Sequence, residues 1–554
     1  MALTKVTYAM IEGDPINVLD YGAIGDGLTD DTTAIQNAIN AGKNIYFPTG
    51  TYLCNSTVTV SQNNSLLTFA GGASLTYTTA TMTLLTISGN DCQVVNASIT
   101  APAVFDGANV QPTYGIIRVT GEKTIIDQVR IINVPKVGVW FDNTNNGTVT
   151  NCFINGGTSD TFFTGSNTGH FGICIDPGST GSQGNFVIAN NNIRQCVQGG
   201  FSGNYGAASY EQSFAVTGNV FELCWNHGWY SAGVANGVAV TGNAFNACQV
   251  PVALTGQNHV VSGNTLVVQT TGSGAATDNE ITGIQIRDAV GCVIANNSIK
   301  GEGQSGGTVI DLSDNALVSG ANRIENNVIS GNIIEITNTT VAGVVAIRLV
   351  ATSTFASNNI ISNNVITAPI RINNGLISII GSNSATSENN VIQGNTVRIT
   401  GATGNGHGIY LNTVNTSNVS DNIVSLGYDA GSAVTLTAYT SASCQIINFN
   451  SNIAVCTAAF GSNITYRVFS ELTSALNNAY VDNVISIDVT KLVSVLNFAL
   501  LTTSSPRLEH FGSGTPEANI VAGIGSLWKR TDGGAGTTLY VKESGTSNTG
   551  WVAK

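Results

Sequence analysis

From residue 188 onward the chain repeats one short arrangement of apolar and polar positions: an apolar residue, any residue, Gly or Asn, Asn, any residue, an apolar residue. It reads IANNNI at 188–193, VTGNVF at 216–221, VTGNAF at 240–245, VSGNTL at 261–266 and IANNSI at 294–299, then IENNVI, ISNNVI, IQGNTV, VSDNIV and FNSNIA. The aligned asparagines are Asn191, Asn219, Asn243, Asn264, Asn297, Asn327, Asn364, Asn395, Asn422 and Asn452. Both flanking columns are apolar in all ten copies, which in a chain that is 42% hydrophobic has a chance on the order of 10^-8.

Each column of the repeat has a physical cause. The residue before the aligned Asn is four times Gly, four times Asn, once Asp and once Ser, the composition expected where the backbone enters the left-handed region at a sharp bend. The Asn that follows can stack on its counterpart one coil on, its amide both donating and accepting along a ladder. The apolar residues three before and two after it then point inward. The copies average 29 residues apart, too short for helical crossovers, and no helical period lies between them. The pattern therefore predicts an all-β solenoid, a right-handed single-stranded parallel β-helix with coils about 4.8 Å apart. The same register stacks Cys196, Cys224 and Cys248 in the interior as small buried hydrophobes.

Upstream, residues 16–54 hold the one convincing helix, with Thr29 or Asp30 as N-cap, Ala34, Ile35, Ala38 and Ile39 as its apolar face, and Gly42 as its stop. Such a helix would cover an open coil and keep its backbone groups from pairing with other strands. Turn and cap chemistry accounts for Asp26, Asp30 and Asp31. The expected division is a leader at 1–15, an N-terminal cap at 16–60, the β-helix at 61–460, a β-rich closing and trimerising region at 461–505, and a small hairpin module at 506–554. In that module GGAG turns between SLWKR and TTLYVKE. The alternative for 464–501 is that it finishes the solenoid.

The segment VLDYGAIGDGLTDDTTAIQNAI at 18–39 resembles the N-terminal motif of the pectate-lyase-like β-helix superfamily, and with the leader LTKVTYAMIEG at 3–13 the chain is similar to bacteriophage tailspikes that act as capsule depolymerases. The stretch GIGSLWKRTDGGAGTTLYVKESGTSNTGW at 523–551 also resembles a terminal module of phage tail proteins. The resemblance implies a homotrimer of side-by-side β-helices, made in the bacterial cytoplasm and carried in the virion tail. It would be joined to other tail or baseplate proteins through its N-terminus, and would bind and usually cleave a bacterial capsular or O-antigen polysaccharide. Many tailspikes carry a larger attachment domain before this point, so a trimmed chain or an adaptor is expected here.

Composition narrows the partners. Twenty Lys and Arg against 33 Asp and Glu leave a net charge of -13, which opposes extended contact with nucleic acid. No apolar run is long enough for a membrane span, and the start lacks the basic and apolar regions of a secretory signal. The ten cysteines include no CxxC and are expected to be reduced and buried.

Polar residues that a solenoid wall does not need are few. Three residues past the ladder Asn, the outward column reads Arg194, Glu222, Asn246, Val267, Lys300. Beside Glu222, the segment 222–230 adds Trp225, His227, Trp229 and Tyr230, and the preceding NYGAASYEQS adds Tyr205, Tyr210 and Glu211. Aromatic faces suit the C–H faces of sugar rings, while amides and carboxylates suit their hydroxyls. Hydrolysis needs two carboxylates, one donating a proton and one acting as base or nucleophile. Glu222 with Glu211 is the first pair, Asp176 and Asp160 are substitutes, and Asp288, Asp311 and Asp314 form a second group. The plain alternative is a surface carboxylate or an Arg194–Glu222 ion pair. On a uronic-acid glycan, elimination would use His227 or Tyr210 as base, with Arg194, Arg287 or Lys300 neutralising the carboxylate. A fibre that binds glycan without cutting it is the third reading. His170, His259, His407 and His510 lack metal-like spacing, so no catalytic metal and no cofactor is expected.

Overall fold

A computed structural model describes residues 15–104, 112–157, 170–176, 182–203, 210–268, 282–301, 307–314, 323–337, 344–352, 355–368, 375–382, 387–400, 406–426, 434–456, 464–472, 478–486, 492–498, 508–520, 522–545 and 547–554. Two units divide the chain, one of Met1–Val260 with Thr271–Asp278, the other of Val261–Thr270 with Asn279–Lys554. Each is built of short strands paired in parallel with their counterparts one coil on, the arrangement of a right-handed parallel β-helix.

In the first unit, helix α1 (Thr32–Ala41) follows a loop that its own N-terminus holds. Asp31 occupies the N-cap position, one or two residues later than the sequence suggested. Its carboxylate is spent on the loop instead, accepting from Ile24 N–H at 2.7 Å and Gly25 N–H at 3.1 Å. Asp30 supplies the capping acceptor, for Thr32 N–H at 3.0 Å. Ile35, Ala38 and Ile39 are buried and Ala34 is half-buried. Ile35 lines a small cavity with Phe47, Val58, Leu67, Leu75, Leu84 and Leu85, so the helix sits on the core of the first coils.

One face of this unit stacks Ile117–Val119, Val137–Asp142, Phe171–Asp176, Gln198–Ser202, His227–Ser231 and Val250–Gln257. Alternation sends Ile117, Val139 and Ile173 inward, and Arg118, Trp140, Cys174, Phe201, Tyr230 and Ala253 outward in one register column. Another face stacks Phe153–Asn155, Asn192–Arg194, Val220–Glu222 and Ala244–Cys248, with Asn155, Arg194, Glu222 and Asn246 aligned.

The ladder exists, and its hydrogen bonds explain its residue type. Asn191 Nδ2 donates to Asn219 Oδ1 at 3.0 Å, and Asn219 Nδ2 to Asn243 Oδ1 at 3.0 Å. Asn219 also donates to the Ile188 carbonyl, while its Oδ1 accepts from the backbone and the amide of Asn191. All four capacities of the primary amide are used, which no other side chain of this size could match. The preceding residues Asn190, Gly218 and Gly242 have φ of 56°, 66° and 64°.

In the second unit the ladder runs Asn264, Asn297, Asn332, Asn364, Asn395, Asn422, Asn452, Asn483. This corrects the sequence register at one member. Asn327 belongs to a second column, with Asn359 and Asn390, which closes on Ser417. ISGN at 329–332 is the copy that the single-column alignment passed over. Two columns in one coil create two equivalent motifs, so a one-column alignment must choose between them.

The cysteine stack holds too: Cys196, Cys224 and Cys248 are fully buried and free, and burial pushes the Cys196 thiol up to about 12. Ladder and parallel pairing both continue past residue 460. Ile464–Leu472 pairs in parallel with Val434–Ala442 and then with Leu492–Phe498, as solenoid strands do. Among the described residues the parallel pairing of the preceding coils continues, as expected where 464–501 finishes the solenoid. Beyond it, Leu527–Arg530, Leu539–Lys542 and Trp551–Ala553 form an antiparallel sheet, with GGAG between its first two strands.

Candidate functional site

The outward column of the first unit is unusual for a solvent-facing surface. Trp140 is 7% exposed, Cys174 is fully buried and Phe201 is 1% exposed, with Tyr230 and Ala232 packed against them. The Phe171 and Phe201 rings lie 5.1 Å apart, Phe201 and Tyr230 meet edge-on at 5.7 Å, and His227 stacks on Tyr230 at 4.4 Å. An aromatic wall thus runs across four successive coils.

Charged groups stand beside this wall. Arg118 Nε donates to Asp142 Oδ2 at 2.8 Å, its Nη2 also reaches that oxygen, and its guanidinium lies 4.9 Å over the Trp140 ring. Two residues past Trp140, Asp142 is the register partner of Asp176 on the next coil. Two carboxylates therefore start from neighbouring strands, about 4.8 Å apart. Asp176 is 7% exposed. Trp140 Nε1 is a buried donor with no hydrogen-bond partner among the described residues.

The residues singled out from sequence fall differently. Arg194 and Glu222 are cross-strand neighbours and pair at 3.6 Å, the ion pair of the plain reading, and both side chains are about one-third exposed. His227 and Tyr230 join the wall, and Trp225 is half-buried. Trp229 corrects the prediction: it is fully buried and points inward, with Nε1 donating to Ser231 Oγ at 3.3 Å, so its ring is offered to no sugar. Space for it comes from Gly200 one coil earlier, where a Cβ would lie 2.2 Å from the indole. Arg287 and Lys300 belong to the second unit, where Lys300 pairs with Glu335 at 3.4 Å. Asp311 pairs with Arg348, Asp314 accepts from Thr352, and Asp288 is buried at a positive φ of 54°. Asp160 and Tyr205 lie outside the described residues, as do the side chains of Tyr210 and Glu211. Of those two the backbone places Glu211 level with Gln183 and Ala235.

His170 is a packing residue. Its Nδ1 accepts from Val197 N–H at 3.1 Å, its Nε2 lies 2.8 Å from the Val134 carbonyl, and burial pushes its pKa down to about 4. Among the described residues no group of three His, Cys, Asp or Glu is gathered as a metal site, and no helix is long and apolar enough to cross a membrane.

Arg118, Trp140 and Asp142 escaped sequence reasoning because their coils precede the Asn repeat. A signal was present. Each charged residue interrupts or ends an apolar strand, GIIRV and VGVWFD.

Residues 15–254 match the family model described as rhamnogalacturonase A/epimerase, pectate lyase-like. This part of the chain is pectate-lyase-like. The match covers the aromatic wall and all of its charged neighbours, and agrees with the resemblance carried by residues 18–39. Among solved structures, the pre-mature bacteriophage phi29 gene product 12 shares the fold, with a TM-score of 0.51 and 12% identity over 96% of this chain and 81% of that one. Tailspike protein 3 of bacteriophage CBA120 matches at a TM-score of 0.33 and 10% identity, over 97% of this chain and 68% of that one. Plasmin and fibronectin-binding protein A of Streptococcus pneumoniae is 46% identical over 61 residues. That match spans 10% of this chain and only 8% of that protein's length.

Proposed function

We propose that this chain binds and depolymerises a bacterial surface polysaccharide, capsular or O-antigen, by glycosidic hydrolysis at the aromatic wall of its first unit. The observation that carries the reading is the register pairing of Asp142 with Asp176 beside Trp140 and Tyr230. Carboxyl groups on adjacent strands approach the 5–5.5 Å of retaining enzymes more nearly than the 6.5–9.5 Å of inverting ones. Asp142, oriented by Arg118, is the nucleophile that attacks the anomeric carbon. Asp176, the more buried, protonates the departing glycosidic oxygen and then takes a proton from the water that releases the sugar. Tyr230 with His227 supplies a stacking face for the bound ring. The Arg194–Glu222 pair becomes a flanking contact in this reading, which puts Asp142 and the substitute Asp176 in place of the Glu222–Glu211 pair.

The same reading makes the protein a homotrimeric tail component of a virion. Its support is the sequence resemblance at residues 3–39, together with a fold that a phage protein also has.

Incubation with a panel of bacterial capsular and O-antigen polysaccharides tests it. New reducing ends are expected, and Asp176→Asn is expected to lower kcat about 10^3-fold with an unchanged melting temperature. Absorbance near 232–235 nm would replace hydrolysis by elimination, and binding without shortening would leave an adhesin. Full activity in Asp142→Asn and Asp176→Asn would remove this pair from the chemistry.

A further inference from the structure

In the second unit, the short strands that precede each ladder asparagine present an outer wall without charge on six successive coils. Its first column reads Val293, Val328, Ile360, Val391, Asn418, Asn448, and its second, from Ala295 to Asn450, is also neutral. Beyond the bend, the next outward column reads Ser298, Ile333, Val365, Thr396, Ile423, Ile453. Ile333 is 57% exposed, and Ile360, Val365 and Ile423 are exposed too. Charges return two residues further on, at Lys300, Glu335 and Arg398. The bend itself carries short residues, Asn296, Gly331, Asn363, Gly394 and Ser451. Asp421 is its one charge, and the carboxylate accepts from Gln393 Nε2 at 3.0 Å.

Exposed aliphatic side chains gathered on one wall mark an interaction surface, and three properties of this wall name its partner. The first is charge. With a net charge of -13, two copies of this chain repel, and they repel least where their facing walls are neutral. The second is period. Outward side chains recur about every 4.8 Å along the stack, and a surface that fills the gaps between them has the same period, as another β-helix has. The third is size. Six coils span about 29 Å, and the strands on the two sides of the bend, each about 10 Å wide, offer roughly 600 Å² per chain, the low end of what one partner gives a specific interface.

We infer that this neutral corner is where three copies of the chain meet, their second units side by side with parallel axes. The strip before the bend in one copy packs against the strip after the bend in the next, and the short residues of the bend face the threefold axis. Lys300, Glu335 and Arg398 then stand at the rim, where an interface carries its charges. The inference rests on the homotrimer of the proposed function and assigns its contact face. It does not depend on the hydrolysis, because its residues all lie in the second unit.

Light scattering on the full chain, diluted in steps, tests the face. A trimer is expected for the natural sequence and for Ile24→Glu, a cap residue 58% exposed. Ile333→Glu with Ile360→Glu is expected to raise the concentration at which the trimer dissociates about 100-fold or more, with the far-ultraviolet circular dichroism unchanged. Asp421→Asn, which removes three like charges from the axis, is expected to lower that concentration several-fold. A second measurement does not need a dissociating variant. Nine of the ten cysteines are buried and free, so Val365→Cys adds an exposed thiol. A short bis-maleimide is expected to link chains pairwise in Val365→Cys, and not in Ile24→Cys or the natural sequence. A trimer that survives the paired Glu substitutions, or Val365→Cys chains that stay unlinked, would overturn the face while leaving the homotrimer standing. Equal dissociation by Ile24→Glu, or a weaker trimer in Asp421→Asn, would overturn the face as well. A monomeric natural sequence would overturn the homotrimer and the face together.

Discussion

The two units share an interior and differ on the corresponding outer wall. Inside, both stack asparagine amides and aliphatic side chains coil upon coil. Outside, the column of the first unit reads Trp140, Cys174, Phe201, Tyr230, whereas that of the second reads Asp311, Arg348, Ser378, Tyr410. Inward positions answer to packing density and hydrogen-bond completeness, which leave few acceptable residues. Outward positions answer to whatever the wall contacts, so two coils with the same inner layer can present opposite chemistry.

The ladder should show the largest effect, equal in both units. Asn219→Ala in the first unit and Asn364→Ala in the second each strip partners from buried amide and carbonyl groups, and each is expected to cost about 4–6 kcal/mol in denaturant unfolding. A cost below about 1 kcal/mol in either would mean that the ladder decorates the coils rather than holding them.

The walls should diverge next. Arg348→Ala leaves the carboxylate of Asp311 buried and uncompensated, for an expected loss of about 3–5 kcal/mol. Arg118→Ala exposes Asp142 to water that already reaches it, with side chains 39% and 18% exposed, and should cost under about 1 kcal/mol while lowering glycan cleavage. Equal destabilisation by the two would erase the distinction between a buried ion pair and a partly exposed one.

A pH titration sharpens the comparison from the other side. Burial holds His170 and His259, both in the first unit, neutral with pKa values of about 4. The unfolded chain takes up protons at these residues below about pH 6.5, so their contribution is complete above that pH and is lost as pH falls toward 4. Each should account for about 3 kcal/mol across that window. His170→Asn should flatten the acid side of the stability profile, and an unchanged profile would show that the ring protonates freely in the fold. The smallest effect belongs to Lys300 and Glu335, a pair more than half exposed. Lys300→Ala should change stability by under about 0.5 kcal/mol, with no loss of cleavage, and a large loss of either would return Lys300 to the site.

Much of this architecture was legible in residue order, and the misses have physical causes. Coils before residue 188 close without the Asn motif, so Arg118, Trp140 and Asp142 carried no periodic label. The inward turn of Trp229 depended on Gly200, 29 residues earlier, leaving room for an indole. A second asparagine column drew Asn327 into the wrong ladder, since both columns satisfy the same six-residue pattern.

What the order of residues determined alone was the coil: a left-handed bend, an amide and two apolar neighbours are local requirements, each met within six positions. Only the tertiary structure decided which carboxylates become neighbours. Asp142 and Asp176 are 34 residues apart along the chain. Their pairing depends on the length of the intervening turn and on strand register, and a shift of one residue would send one of the two carboxylates into the core.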